Sequence, residues 1–226
     1  MIKFIKMPKP HSSESGYTIM EGLVAMIVVA TLMSAIAPVI AISVGTRVQA
    51  RRIELAAQAA RSYIDGVRAG SIPAPEIFTN NEIVPNNSVG AAIDGPDNLE
   101  CPDPPNQNEY CTTTVTVGQT DVRLYCVDGG DGGDCTGLTD MVVYAAGFHR
   151  NSTDSSDGYE LFVRVYRGSG VEGVTLSEKT ISTSVSNTGL ATRSGDTEKP
   201  LFTTKTEIAP SDGNLFQKYH DRLKEN

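Results

Sequence analysis

The 226-residue chain has no tryptophan, and its aromatic complement is 8 Tyr and 6 Phe. So few rings leave little from which to build a stacking platform for sugars. Histidine is as scarce, with three in all. The two beyond the N-terminal stretch, His149 and His220, stand near no recognisable nucleophile or metal motif. No Gly-x-Gly-x-x-Gly occurs in a strand–helix context, and no Gly-Lys-Ser/Thr phosphate loop is present. Catalysis is therefore not expected, and any movement the protein takes part in needs a separate ATPase. Basic charge is also in short supply, with 19 Lys and Arg against 27 Asp and Glu. From Ser71 onward the count is 11 against 23, a net charge of −12 that repels phosphate backbones and argues against a nucleic-acid partner.

The most informative absence is local. Between Glu21 and Arg47 there is no charged residue, so Gly22 to Thr46 forms an uncharged, mostly apolar run of 25 residues. As a helix it is about 37 Å long, enough to cross a hydrocarbon layer of about 30 Å. Glu21 stands at its front, where an ionised side chain costs about 2.5–3.5 kcal/mol on insertion scales. The sixteen residues before Tyr17 carry Lys3, Lys6, Lys9 and His11 against the single acid Glu14. This basic prefix is unlike an ordinary secretory signal, because its small residue, Gly16, precedes the apolar run instead of following it. A cut after Gly16 leaves the apolar helix on the mature chain and creates a new amine on Tyr17. The carboxylate of Glu21 can then neutralise that amine on an adjacent subunit.

Gly16, an aromatic, Thr18, a Glu five residues past the junction and a long apolar helix together resemble the type IV pilin and pseudopilin N-terminus. The resemblance implies cleavage after Gly16 by a prepilin peptidase, N-methylation of Tyr17, and Glu21 as the assembly carboxylate. Pro38 falls where many pilins carry a helix-interrupting proline. Tyr17 replaces the usual Phe, and Met20 the usual Leu or Ile. Further stretches are similar to cyanobacterial pseudopilins of hormogonium polysaccharide secretion. They are Thr46 to Gly70, Leu124-Tyr125-Cys126-Val127-Asp128, and Leu161-Phe162-Val163-Arg164-Val165-Tyr166-Arg167. The implied partners are the peptidase, other pilin or pseudopilin subunits, an inner-membrane assembly platform and the membrane itself.

Beyond the run, Arg47 to Arg68 is rich in helix formers. Val48, Arg52, Leu55, Ala59, Tyr63 and Val67 mark one face suited to lie on a sheet. Gly70, Pro73 and Pro75 end the helix, and Pro38 predicts a bend or local melting within it, with Gly45 a second soft point. Residues 71–110, rich in Pro, Asn and Gly, read as a long loop. Strand character follows at 112–117, 122–127, 141–146 and, most clearly, 159–166, with later segments near 174–185 and 201–208. In the clearest strand Tyr159, Leu161, Val163 and Val165 point one way, and Glu160, Phe162, Arg164 and Tyr166 the other. The fold class is α+β: a long N-terminal helix, membrane-spanning then amphipathic, packed on a small antiparallel β-sheet. The organisation expected is a cleaved leader 1–16, a transmembrane helix 17–46, an amphipathic half 47–70 and an extracytoplasmic head 71–226.

Cys101, Cys111, Cys126 and Cys135 all fall in that head, and an even count in an exported domain reads as two disulfides. Three connectivities are open, and the short polar loops favour Cys101–Cys111 with Cys126–Cys135. No tight Cys-x2-Cys pair supports zinc. Asp128, Asp131 and Asp134, spaced by glycine pairs, are candidates for calcium, which some secretion pseudopilins bind, although the EF-hand pattern is missing. No other cofactor or metal is expected. Asp154 to Asp157 reads as a hairpin loop turning at Asp157-Gly158.

Two functional classes compete. One is a minor pilin or pseudopilin, a structural filament subunit supporting polysaccharide secretion and gliding motility. The other is a binding module at a filament tip that recognises a surface or glycan. By the positive-inside tendency the leader stays cytoplasmic, giving a single-pass inner-membrane protein with its head outside. Arg47, Arg51 and Arg52 on the far side dilute that signal.

Overall fold

The structure is a computed structural model that describes residues 18–79, 92–102, 109–117, 120–130, 132, 135–177, 198–210, 220 and 224. The chain divides into two compact units, residues 1–44 and 45–226. A helix, α1 (Ile19–Ala69), contributes its residues up to Val44 to the first and those from Gly45 to the second. It remains helical through Pro38 and Gly45, so the local melting expected there is not found. The missing N–H and the crowding of the Ser34 carbonyl at Pro38 are accommodated without ending the helix.

In the first unit the described apolar side chains are exposed, from Ile19 and Leu23 to Ile42 and Val44. Among the described residues, α1 is the helix long and apolar enough to cross a membrane.

The second unit is α+β. Its strands are β1 (Ile77–Phe78), β2 (Ile93–Asp94), β3 (Thr114–Val117), β4 (Thr120–Arg123), β5 (Tyr125–Val127), β6 (Met141–Phe148), β7 (Tyr159–Arg167), β8 (Thr175–Leu176) and β9 (Phe202–Ile208). The main sheet has five strands in the order β1-β6-β7-β9, with β5 also beside β6. β6 and β7 form its longest ladder, pairing Val143 with Val165 and Ala145 with Val163. The sheet is mixed, which corrects the all-antiparallel expectation: β1 runs parallel to β6 through Ile77 and Phe78. That strand is reached from the end of α1 and not through a hairpin, so no tight turn imposes an antiparallel course. Gly147 lets it approach, since a Cβ there would lie 2.7 Å from Ile77 Cγ1 and 2.9 Å from Tyr159 Cδ2.

The alternation of β7 divides the core into two layers. On one side Tyr159, Leu161, Val163 and Val165 meet Ala56, Ala59, Ala60, Tyr63, Ile64 and Val67 of α1. Alanines in the helix face allow its backbone to come close to the sheet. On the other side Val142, Tyr144, Ala146 and Tyr166 are covered by the β3–β4 and β2–β8 ladders and by the cystines. The helix face that packs starts later along the chain than the spacing suggested. Val48 is 46% exposed and Arg52 only half-buried, and close packing begins near Leu55. α1 ends in a Schellman motif, with Gly70 N–H donating to Val67 O (3.1 Å) and Ser71 N–H to Gly66 O (3.0 Å). Gly70 supplies the required positive φ of 71°.

Candidate functional site

The apolar run begins in a well-formed helix cap. Glu21 N–H donates to Thr18 O at 3.0 Å and lies 3.3 Å from Thr18 Oγ1, while Gly22 N–H reaches Thr18 O at 3.2 Å. Thr18 is thus the N-cap and Glu21 occupies the third helical position, the Thr-x-x-Glu arrangement of a capping box. A carboxylate in the first turn also complements the positive end of the helix dipole. Sequence reasoning assigned Glu21 a partner between chains and missed this role within its own helix, although the Thr18–Glu21 spacing carried the signal. Glu21 is exposed, flanked by Ile19 and Met20 at 90% and 75% exposure. Gly16 and Tyr17 lie outside the described residues, and Pro38 sits within α1.

In the second unit, Cys101 is bonded to Cys111 and Cys126 to Cys135, the pairing that the short loops favoured. The sulfurs of Cys101, Cys126 and Cys135 lie within 4.8 Å of one another. Each is engaged in a disulfide and offers no thiolate to a metal. The glycine-rich loop closed by Cys126–Cys135 is organised by a residue that sequence reasoning overlooked. Asp140, fully buried, accepts from Gly129 N–H at 2.9 Å and Gly137 N–H at 2.8 Å. Asp128, one of the calcium candidates, turns inward on the loop and accepts from Gly130 N–H at 2.9 Å. Asp131 and Asp134 lie outside the described residues.

A tyrosine cluster joins α1 to the loop after it. Tyr63 OH and Tyr110 OH are 2.7 Å apart, and Tyr110 OH donates to Pro73 O at 2.9 Å, so Tyr63 is the donor between the two. The Tyr125 ring stands 5.2 Å from that of Tyr63, and the Arg123 guanidinium lies 5.5 Å from the Tyr110 centroid. Burial is the main cause of raised phenol pKa values here. It takes Tyr63 well above its ordinary value, with Tyr110 adding to the rise, and pushes Tyr110 up to about 12. Beside the cluster, Ala74, Pro75, Glu76, Tyr110 and Arg123 line an open notch of about 200 Å³. Most of that space is open to solvent, and the enclosed part has room for about one water molecule.

Other polar residues have structural roles. His149 Nδ1 accepts from Ser152 N–H (2.9 Å) and Asn151 N–H (3.2 Å), holding the β6–β7 connection. That connection is completed by a 3-10 turn, Ser155–Asp157, capped by Asp154 and followed by Gly158 at φ 75°. Buried Arg164 lies between the Phe162 and Tyr144 rings and donates to Tyr166 OH at 3.2 Å. Among the described residues, no nucleophile–base pair or open metal site emerges from this arrangement. Searches of protein-family models, curated proteins and solved structures returned no match.

Proposed function

We propose that the chain is a minor pilin or pseudopilin, a structural subunit of a type IV pilus-like or secretion-type filament. The observation that carries this reading is the 25-residue uncharged run whose apolar side chains are exposed, opening directly at Thr18 and Glu21. Such a surface demands lipid or neighbouring copies of a similar helix. The basic prefix and Gly16 at its junction supply the processing signal. The disulfide-closed α+β unit supplies a head suited to the oxidising side of a membrane. Polysaccharide export for gliding rests on the subfamily resemblance alone.

The leader is held in the cytoplasm by its lysines, the apolar run spans the membrane, and the head faces outward. After the peptidase cuts, subunits associate through their apolar helices, with Glu21 meeting the Tyr17 amine of a neighbour. Intact-mass measurement of the membrane-extracted protein tests this directly. The expected species starts at Tyr17, carries one added methyl group and contains no free thiol. A chain that begins at Met1 and is found free in the soluble fraction overturns the proposal. Gly16→Val separates processing from the fold, since it blocks the cut and leaves the head intact.

The tip-binding reading draws on one observation, the notch bearing Glu76, Tyr110 and Arg123. Dose-dependent retention of the protein by one sugar class on a glycan array would favour it.

A further inference from the structure

Three arginines stand directly after the apolar run, at positions 47, 51 and 52. Arg47 and Arg51 are exposed and Arg52 is half-buried. Among the described residues none of them makes a hydrogen bond or ion pair, and the nearest acid, Glu54, does not engage them. Arg47 and Arg51 are one helical turn apart, and from 100° per residue they lie opposite the face formed by Ala56, Ala60 and Tyr63. The sheet therefore does not use Arg47 and Arg51, and Arg52, on the stripe that faces the sheet further along, stands before close packing begins at Leu55.

Their chemistry is selective. Between Lys9 and Arg167 every permanently charged cation is an arginine, whereas the three leader cations of that kind are all lysines. Guanidinium presents a planar fork that matches phosphate oxygens in pairs, while ammonium acts as a point charge. The placement also works against the orientation that the leader sets, because cations on the outer side weaken the positive-inside asymmetry. A run of 25 helical residues, about 37 Å long, exceeds a hydrocarbon core of about 30 Å, so the residues that follow enter the headgroup layer.

We propose that Arg47, Arg51 and Arg52 form a headgroup clamp that binds the phosphates of anionic phospholipid, holding the start of the head at the outer membrane surface. The inference rests on the membrane-spanning reading above. An acidic head from a second copy, with its net −12 beyond Gly70, is the rival occupant. The all-arginine composition and the position at the end of the run favour lipid phosphate.

The test uses full-length protein in nanodiscs of phosphatidylcholine with a minority of phosphatidylglycerol. After mild delipidation, the lipids retained are counted by intact-complex mass measurement. Wild type is expected to keep phosphatidylglycerol above its share of the bilayer. The combined Arg47→Gln, Arg51→Gln, Arg52→Gln variant should return to the bulk ratio, a change of up to roughly fivefold per arginine. The corresponding triple Lys variant should fall between them, because charge survives and the fork does not. The leader lysines are shared by all three proteins, so differences belong to the arginines. Retention at the bulk ratio in wild type, or unchanged retention in the Gln variant, overturns the clamp. So does a Gln variant that loses self-association while its lipid retention holds, which assigns the arginines to a second copy. Failure of wild type to enter nanodiscs at all overturns the membrane reading as well. Insertion without lipid preference overturns the clamp alone.

Discussion

Tyr63 on α1 donates a hydrogen bond to Tyr110 on the far side of the loop that leaves the helix, with the two oxygens 2.7 Å apart. Tyr110 in turn donates to Pro73 O, so a single relay ties the helix face, the helix exit and the segment leading to β3. Two neutral hydroxyls in series satisfy each other away from water, which a charged pair in the same place would do at greater desolvation cost.

Removing the two hydroxyls should not be equivalent. Tyr63→Phe leaves Tyr110 its bond to Pro73 and should cost about 1 kcal/mol. Tyr110→Phe leaves both Tyr63 OH and Pro73 O without that partner and should cost about 1–3 kcal/mol. Urea unfolding of the detergent-solubilised protein, followed by circular dichroism, measures both. Equal costs would show that the relay is not the unit of stability.

The same cluster makes the head sensitive to alkali. The folded state raises the pKa of Tyr63 and takes that of Tyr110 to about 12, against an ordinary 10.0. Folded protein then holds protons that the unfolded chain releases, and stability falls with rising pH in that window. The contribution should be complete below about pH 10 and lost as pH climbs through about 12. A pH series of unfolding midpoints, with the Tyr63→Phe, Tyr110→Phe double variant as control, should show a shallower alkaline slope in the variant.

Asp140 is the second polar anchor. Asp140→Ala strips the acceptor from Gly129 N–H and Gly137 N–H together and should cost about 3 kcal/mol, while Asp140→Asn keeps one carbonyl oxygen and should cost about 1 kcal/mol. Amide hydrogen exchange at Gly129 and Gly137 is the sharper readout. Both should lose protection in the alanine variant, with the β6–β7 ladder less affected. Unchanged exchange at those two amides would remove Asp140 from its organising role.

What could be read without coordinates followed from periodicity. The 25-residue run and the four-residue steps of the amphipathic half specified α1, and strict alternation specified β7 and its two faces. β6 offers no such pattern, since Met141 through Gly147 are buried on both faces, and its apolar run is set by position in the middle of the sheet. β1, β2 and β8 have two residues each, too short for any period, so the parallel pairing of β1 was invisible. Val48 and Arg52 continue the helical stripe beyond the sheet, because periodicity records orientation and not where a partner surface ends. Asp140 looked like one more loop acid, and its burial comes from tertiary contacts alone. The cap at Thr18 was legible in the Thr-x-x-Glu spacing.

The two cystines should contribute comparably through the unfolded chain, since their sequence separations are 10 and 9. Loop-closure entropy of that size corresponds to about 3 kcal/mol each. Replacing Cys126 and Cys135 by serine should cost more than the same change at Cys101 and Cys111. Cys126 and Cys135 are both buried while Cys101 is half-exposed, and hydroxyls in an apolar layer are costly without partners. Alanine in place of serine should narrow the gap. Melting temperatures of the four double variants decide the matter, and identical serine and alanine values at Cys126 and Cys135 would refute the burial argument.

The proposed function gives Glu21 a charge role beside its place in the helix cap, and one pair of variants tells the two apart. Its backbone N–H belongs to the Thr18 cap, and the Thr-x-x-Glu spacing is that of a capping box, in which the carboxylate serves the N-cap. Gln serves that role nearly as well as Glu, whereas Ala does not. Pairing with the Tyr17 amine of a neighbour, by contrast, needs the negative charge. Under the proposed processing, both Glu21→Gln and Glu21→Ala should be cut after Gly16 like the wild type, because the junction is untouched. If the charge governs assembly, both variants should be nearly absent from sheared filaments while accumulating as mature protein in the membrane. If helix capping governs it, Glu21→Gln should enter filaments at close to the wild-type level and only Glu21→Ala should fail. The charge-pairing account requires the first outcome, and recovery of assembly by Gln would withdraw it.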